Sequence, residues 1–225
     1  MQFQISRDAL LKPLQLVSGV VERRQTLPVL ANVLLVLKEK QLSLTGTDLE
    51  VELVGKTEVD QAFQSGEVTV PARKLLDICK SLSEGAAVDI ALADKKLVLK
   101  SGRSRFSLTT LAASEFPNVE EEPDTFSLSI EQSKIRQLLD NTSFAMAQQD
   151  VRYYLNGMLF EVGKDYLRLV ATDGHRLAME TVSLESALQD TQQHILPRKG
   201  GVELSRLVSE GGGDITLTCG QNHLR

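Results

Sequence analysis

Short apolar runs recur along the chain at two periods. MQFQISR sets Phe3 and Ile5 two apart among polar neighbours, the spacing of a half-buried strand, and Ser6 stands where a helix N-cap would precede the run from Arg7. Leu10, Leu14, Val17 and Val21 then form one helical stripe, and Pro13 inside it predicts a kink or an irregular first turn. ANVLLVLK, QLSLTG and EVELVGK follow as three strands separated by polar breaks, and GEVTV runs as a strand into Pro71. Proline suits the start of a helix, and Leu75, Leu76, Cys79 and Leu82 supply the next stripe. AVDIALA, KKLVLKS and SRFSLTTL read as three further strands, so the order strand, helix, three strands has occurred twice.

The acidic stretch EFPNVEEEPD, Glu115 to Asp124, reads as a linker, and beyond it the same order begins again with TFSLSI and EQSKIRQLLDNTSF. Leu10 matches Ile135, Leu14 matches Leu139, Thr47 and Asp48 match Thr172 and Asp173, and Lys74 matches Lys199, all at a spacing of 125. VPARK before the second helix recurs as LPRK before the fourth. The pattern predicts an α+β chain of two domains of one design, residues 1–124 and 125–225. Each copy is built from strand, helix, three-strand units, with helices on one face and antiparallel sheets on the other. The second copy carries fewer strands: after a helix near Arg198 to Val208 come DITLTCG and QNHLR, so a frayed edge, a neighbour-paired edge or a truncated chain is expected there.

At 225 residues, 42% hydrophobic and 24% charged, the chain is long enough to bury a substantial core. No apolar run approaches the roughly 20 residues that cross a bilayer, and MQFQISRDALL lacks the layout of a secretion signal, which makes the cytosol the expected compartment. Cys79 and Cys219 stand far apart with no ligand-spaced partner, which argues against a disulfide framework or a zinc site. The net charge of -5 argues against indiscriminate nucleic-acid binding by the whole surface, so the distribution of charge decides. The cations, however, gather on the expected helices and their flanks: Arg7, Lys12, Arg23, Arg24, Arg73, Lys74, Lys80, Lys134, Arg136, Arg198, Lys199 and Arg206. A phosphate-facing helix layer and ordinary solvated helix faces both fit that distribution.

The densest chemistry lies between Gln149 and Ala178. Arg152, Tyr153 and Tyr154 put a cation beside two aromatic rings at the start of a strand, and Thr172 to Arg176 form a polar turn between apolar runs. An enzyme would have to use Asp48, Asp173 and His175, but the two aspartates are repeat equivalents and read as turn formers that cap backbone N–H groups. There is no glycine-rich phosphate loop, activated nucleophile or ligand cluster, and no helix-turn-helix or zinc-finger spacing for a groove-reading regulator.

With the repeat, the TGTDLE turn at Thr45 to Glu50, PARK at Pro71 to Lys74, SGRSRFSL at Ser101 to Leu108, QDVRYYLNGMLFE and ATDGHRLA closely resemble the bacterial DNA sliding clamp family, the beta subunit of the replicative DNA polymerase III. The resemblance implies a non-catalytic cytoplasmic processivity factor without cofactor or metal. Two chains of three such domains would close head to tail into a ring around duplex DNA, helices lining the hole and sheets outside. Only the first domain and most of the second are matched here, so ring closure by this chain alone is not expected. Lys74, Ile78, Leu82, Arg103, Arg105, Phe106 and Leu108 match the interface at which a first domain meets the other chain's third.

By the same resemblance, Arg24, Arg73, Gln149, Tyr153 and Tyr154 contact DNA. Arginine pairs with phosphate, and tyrosine stacks on the unpaired bases of a primer-template single strand or lies against sugar. Leu155, Thr172, Gly174, His175, Arg176 and Leu177 match the wall of a pocket for a short linear motif. That motif is shared by polymerase subunits, the clamp loader and repair proteins. Leu155 and Leu177 would hold an apolar anchor, Gly174 would allow close backbone approach, and His175 and Arg176 would bond a glutamine or carboxylate. The alternative for the chain is a sequence-independent DNA-binding protein without a ring, or a metal-dependent nuclease.

Overall fold

A computed structural model describes residues 1–21, 27–117, 124–184, 190–209, 212–220 and 223–225. The chain divides into two compact units, Met1–Val119 and Glu120–Arg225, each with its own apolar core.

In the first unit the elements run β1 (Gln2–Ser6), α1 (Arg7–Val17), β2 (Asn32–Lys38), β3 (Gln41–Thr47), β4 (Glu52–Glu58), β5 (Gln61–Gln64), β6 (Gly66–Pro71), α2 (Ala72–Ser81), β7 (Ala87–Ala93), β8 (Lys96–Ser101) and β9 (Ser104–Thr109). They form two antiparallel sheets, ordered β5-β1-β7-β8-β9 and β4-β3-β2-β6. Sequence patterning missed β5, whose QAFQ has no alternation of its own and which pairs along β1. As expected, Ser6 caps α1, its hydroxyl accepting from the Ala9 N–H at 3.3 Å.

Pro13 does not interrupt the helix: α1 runs from Arg7 to Val17, with Leu10, Pro13, Leu14 and Val17 all buried. Val21, placed on that stripe by spacing, lies beyond the helix end but is still buried. Pro13 packs onto β4 at Gly55, where a Cβ would stand only 2.7 Å from the proline Cβ. Gly55→Ala is therefore expected to overpack this contact and cost about 1–3 kcal/mol, readable as a lowered urea midpoint at unchanged slope.

The second unit repeats the order with β10 (Asp124–Glu131), α3 (Gln132–Thr142), β11 (Gly157–Val162), β12 (Tyr166–Thr172), β13 (Leu177–Ser183), β14 (Gln192–Pro197), α4 (Arg198–Ser209) and β15 (Asp214–Gly220). Its sheets are β13-β12-β11-β14 and β10-β15. The spacing of 125 is kept by α1 and α3, by β3 and β12 and by β4 and β13, all residue for residue. It changes to 126 at the next strand. Asn32 pairs with Pro71 and Gly157 with Pro197, so Pro71 and Pro197 are equivalent and Lys74 corresponds to Gly200 rather than to Lys199. Beyond β15, Thr218 and Arg225 exchange backbone hydrogen bonds at 2.7 Å, so the last residues lie back along that strand. In the expected linker, Phe116 is buried and residues 118–123 lie outside the described set.

Outside the second core, Glu161 ties three strands together. It accepts from Gln193 of β14 at 2.6 Å and from Tyr166 and Arg168 of β12 at 3.0 and 3.1 Å. Those bonds, the one from Gln193 foremost, hold its carboxyl below the usual range against the opposing effect of burial.

Candidate nucleic-acid and peptide interface

Several helix cations are engaged inside their own unit. Arg7 donates from Nε to the Cys79 carbonyl at 2.9 Å and also meets Asp8, tying the start of α1 to the end of α2. Arg136 donates to the Val208 carbonyl, Lys134 to Ser183 at 3.2 Å, and Arg206 pairs with buried Glu203 at 2.7 Å. Lys12, Arg73, Lys74 and Lys80 are exposed, which narrows the candidates for phosphate contact. Arg24 lies outside the described residues.

Among the residues matched to a subunit interface, Lys74, Arg103 and Arg105 are exposed, while Ile78, Leu82 and Phe106 are partly buried against the first core. Leu108 differs from the expectation of a surface contact. It is 6% exposed and belongs to the core itself, because its face of β9 turns inward.

Tyr153 and Tyr154 do not begin a strand. They open a single 3-10 turn, Tyr153–Asn156, that precedes β11. The rings meet edge to face at 5.9 Å and are 81% and 50% exposed, so both leave much of their surface open. Gln149 is exposed beside them with φ 58°. The turn is braced by two residues that sequence reading passed over. Asp150 accepts from the Arg152 backbone N–H at 2.8 Å, from its Nε at 3.0 Å and from its Nη2 at 2.9 Å. The Asn156 side chain grips the Asp150 peptide group on both sides, accepting its N–H and donating to its carbonyl, each at 2.8 Å.

Arg152 beside it pulls the Asp150 carboxyl down to about 2. A carboxyl depressed in the folded state stabilises above its unfolded pKa and loses that contribution as pH falls through the folded value. Side-chain carboxyl NMR is expected to show Asp150 titrating near pH 2, with the amides of 150–156 moving only there. Movement of those amides near pH 4 would contradict the brace.

The second turn joins β12 to β13 and repeats the turn between β3 and β4. Thr172 Oγ1 donates to the Arg176 carbonyl and accepts the Gly174 N–H, at 2.7 and 3.1 Å; Thr47 does the same to Val51 and from Leu49, both at 3.0 Å. Asp173 Oδ1 accepts the N–H groups of His175 and Arg176, as Asp48 Oδ1 accepts those of Glu50 and Val51. The residues two after each threonine, Gly174 and Leu49, both adopt left-handed backbone, φ 87° and 81°. These backbone bonds, foremost the one from His175, hold the Asp173 carboxyl below its usual range. Both aspartates are thus turn formers, the reading that spacing had suggested.

Leu177 is 65% exposed on β13, and the His175 imidazole makes no hydrogen bond among the described residues. Arg176 is less free than expected. Its Nε meets Asp173 at 3.0 Å, its Nη2 donates to the Phe144 carbonyl at 2.6 Å, and its guanidinium lies 5.6 Å from the exposed Phe144 ring. Leu155 also departs from the expectation of an open anchor wall: it is 8% exposed, its N–H donating to the Arg152 carbonyl and its own carbonyl accepting from Ala147. The two turns touch, because the Arg152 guanidinium lies against Gly174, 3.3 Å from where a Cβ would stand. No group of three or more His, Cys, Asp or Glu is placed to hold a metal among the described residues, and none of the helices there is long and apolar enough to cross a membrane.

Residues 1–120 match the family model for the DNA polymerase III beta subunit, N-terminal domain, and residues 129–225 the model for its central domain. The chain therefore belongs to the DNA polymerase III beta subunit family. It is 62% identical over its whole length to a beta sliding clamp of Pseudomonas aeruginosa and 46% to one of Escherichia coli, covering 61% of each relative. A crystal structure of the DNA polymerase III subunit beta from Pseudomonas aeruginosa superposes with a TM-score of 0.96 at 60% identity, over all of this chain and 61% of that one. Another, from Bartonella birtlesii and bound to griselimycin, is 35% identical with a TM-score of 0.95, again over 100% of this chain and 61% of its own. The chain thus spans about 61% of the length of the curated relatives it matches.

Proposed function

We propose that this chain supplies the first domain and most of the second of a non-catalytic, cytosolic processivity clamp. In that reading the clamp encircles duplex DNA as a head-to-tail ring and tethers polymerase subunits, the clamp loader and repair proteins. The domain division at residues 124 and 125 belongs to the same proposal. The observation that carries it is the pair of touching, exposed turns in the second unit: an aromatic pair with an adjacent arginine suits sequence-tolerant contact with DNA, and an apolar edge at Leu177 suits a short peptide. Family membership supports assigning those roles to them. Against a nuclease stands the engagement of Asp48 and Asp173 with backbone N–H groups.

Duplex affinity of the isolated chain is expected to be weak, indifferent to sequence and steeply salt-dependent. Arg73→Ala should lower the slope of log affinity against log salt by about 1 if it meets a phosphate, and anisotropy titrations across salt concentrations decide this. Tight binding to one defined duplex sequence, or metal-dependent cleavage by the pure protein, would sink the proposal. For the peptide site, calorimetry is expected to give weaker binding of a clamp-motif peptide to this chain than to a full-length relative. Equal affinities would remove any role for the additional length.

A further inference from the structure

Arg152 joins the two turns through one guanidinium. On one side Asp150 holds it as a fork, with Nε to Oδ1 at 3.0 Å and Nη2 to Oδ2 at 2.9 Å. On the other it covers Gly174: a Cβ there would meet Nη2 at 3.3 Å, Nη1 at 3.7 Å and Cζ at 3.9 Å. The two ends differ in firmness. The Asp150 backbone is fixed by Asn156, whereas the Arg152 side chain is 51% exposed. The fork is bidentate but half open to solvent, and a phosphate presents the same bidentate acceptor geometry as the carboxylate it would replace. Tyr153 and Tyr154 follow directly in the chain and stand 81% and 50% exposed, so a single strand stacked on them would carry its phosphates past Arg152.

We propose that Arg152 is a cover over Gly174 that single-stranded DNA opens. A strand stacked on Tyr153 and Tyr154 draws the guanidinium from Asp150 to a phosphate, bares the Gly174 backbone and raises the affinity of the 172–177 turn for an apolar peptide. Asp150 is the positioning residue that keeps the cover closed when no strand is bound. This rests on the reading of the two turns given under the proposed function. Linkage makes the effect reciprocal, so bound peptide raises affinity for the strand by the same factor.

Amide NMR of the whole chain tests it, with a short oligothymidylate as one probe and a peptide carrying a glutamine and a Leu-Phe anchor as the other. The oligonucleotide is expected to move the amides of 152–154, and peptide affinity, read from the amides of 172–177, should rise about fivefold or more in its presence. Arg152→Ala should hold the raised affinity without oligonucleotide and show no further response. Asp150→Asn, which keeps a side-chain acceptor for the turn but not the ionic fork, should move most of the way to that level. If oligonucleotide and peptide both bind but peptide affinity is unchanged, or if the rise persists in Arg152→Ala, the cover is wrong while the two sites stand. No movement at 152–154, or none at 172–177 on peptide addition, overturns the site reading and the cover with it.

Discussion

Replacing Tyr153 and Tyr154 together by alanine is expected to weaken binding of single-stranded DNA about tenfold or more and to leave thermal stability unchanged. Stacking of one base on one aromatic ring is worth about 1–3 kcal/mol, and two rings offer two platforms. The rings stand 81% and 50% exposed on a turn whose geometry is set by Asp150 and Asn156, not by the tyrosines, so truncation removes little buried surface. Anisotropy with a labelled oligothymidylate measures the first effect and a thermal melt the second. Unchanged affinity would remove the tyrosines from the DNA site. A collapse in melting temperature would return them to a packing role.

Asp173→Ala is expected to reduce peptide binding about tenfold, whereas Asp48→Ala, its twin in the other unit, should leave peptide binding intact. Each aspartate satisfies two turn N–H groups, and losing such a cap costs about 0.5–2 kcal/mol. The Oδ2 of Asp173 also holds the Arg176 guanidinium, which reaches Phe144. Its loss therefore frees both the backbone and the Arg176 side chain of the 172–177 turn. Both variants should lower the urea midpoint of their own unit by a similar amount. Only Asp173→Ala should change the calorimetric titration, and equal peptide affinities in the two variants would contradict the assignment of that turn.

Much of the fold could be read from the sequence because it is written twice. Periodicity found α1 and α3, and the Thr-Asp pair found both turns, because those signals are local: the threonine and aspartate bond groups within four residues of themselves. What escaped was set by tertiary contact. β5 has no pattern of its own and exists because β1 offers it an edge. The one-residue change of spacing at Pro71 and Pro197 arises in the connection before the last strand of the sheet, where matching Lys74 to Lys199 looked equally good. In the site, the exposed tyrosines and Leu177 were legible as chemistry, but the brace was not. Phe144 lies 32 residues from the arginine that stacks on it, and the roles of Asp150 and Asn156 follow from a loop closing on itself. Leu155 and Leu108 looked available in sequence because apolar residues carry no sign of which way a turn or strand faces; both turn inward.

The two copies of the Thr-Asp turn amount to a natural control experiment. The first holds Leu49 at φ 81° within the same hydrogen-bond pattern that the second builds around Gly174. A side chain is therefore compatible with the backbone shape, and curvature alone does not demand glycine at 174. What separates the copies is the neighbour: position 152 carries an arginine leaning on the turn, where the first copy has Leu27. Gly174 is better understood as room for the Arg152 guanidinium than as a hinge kept for its shape.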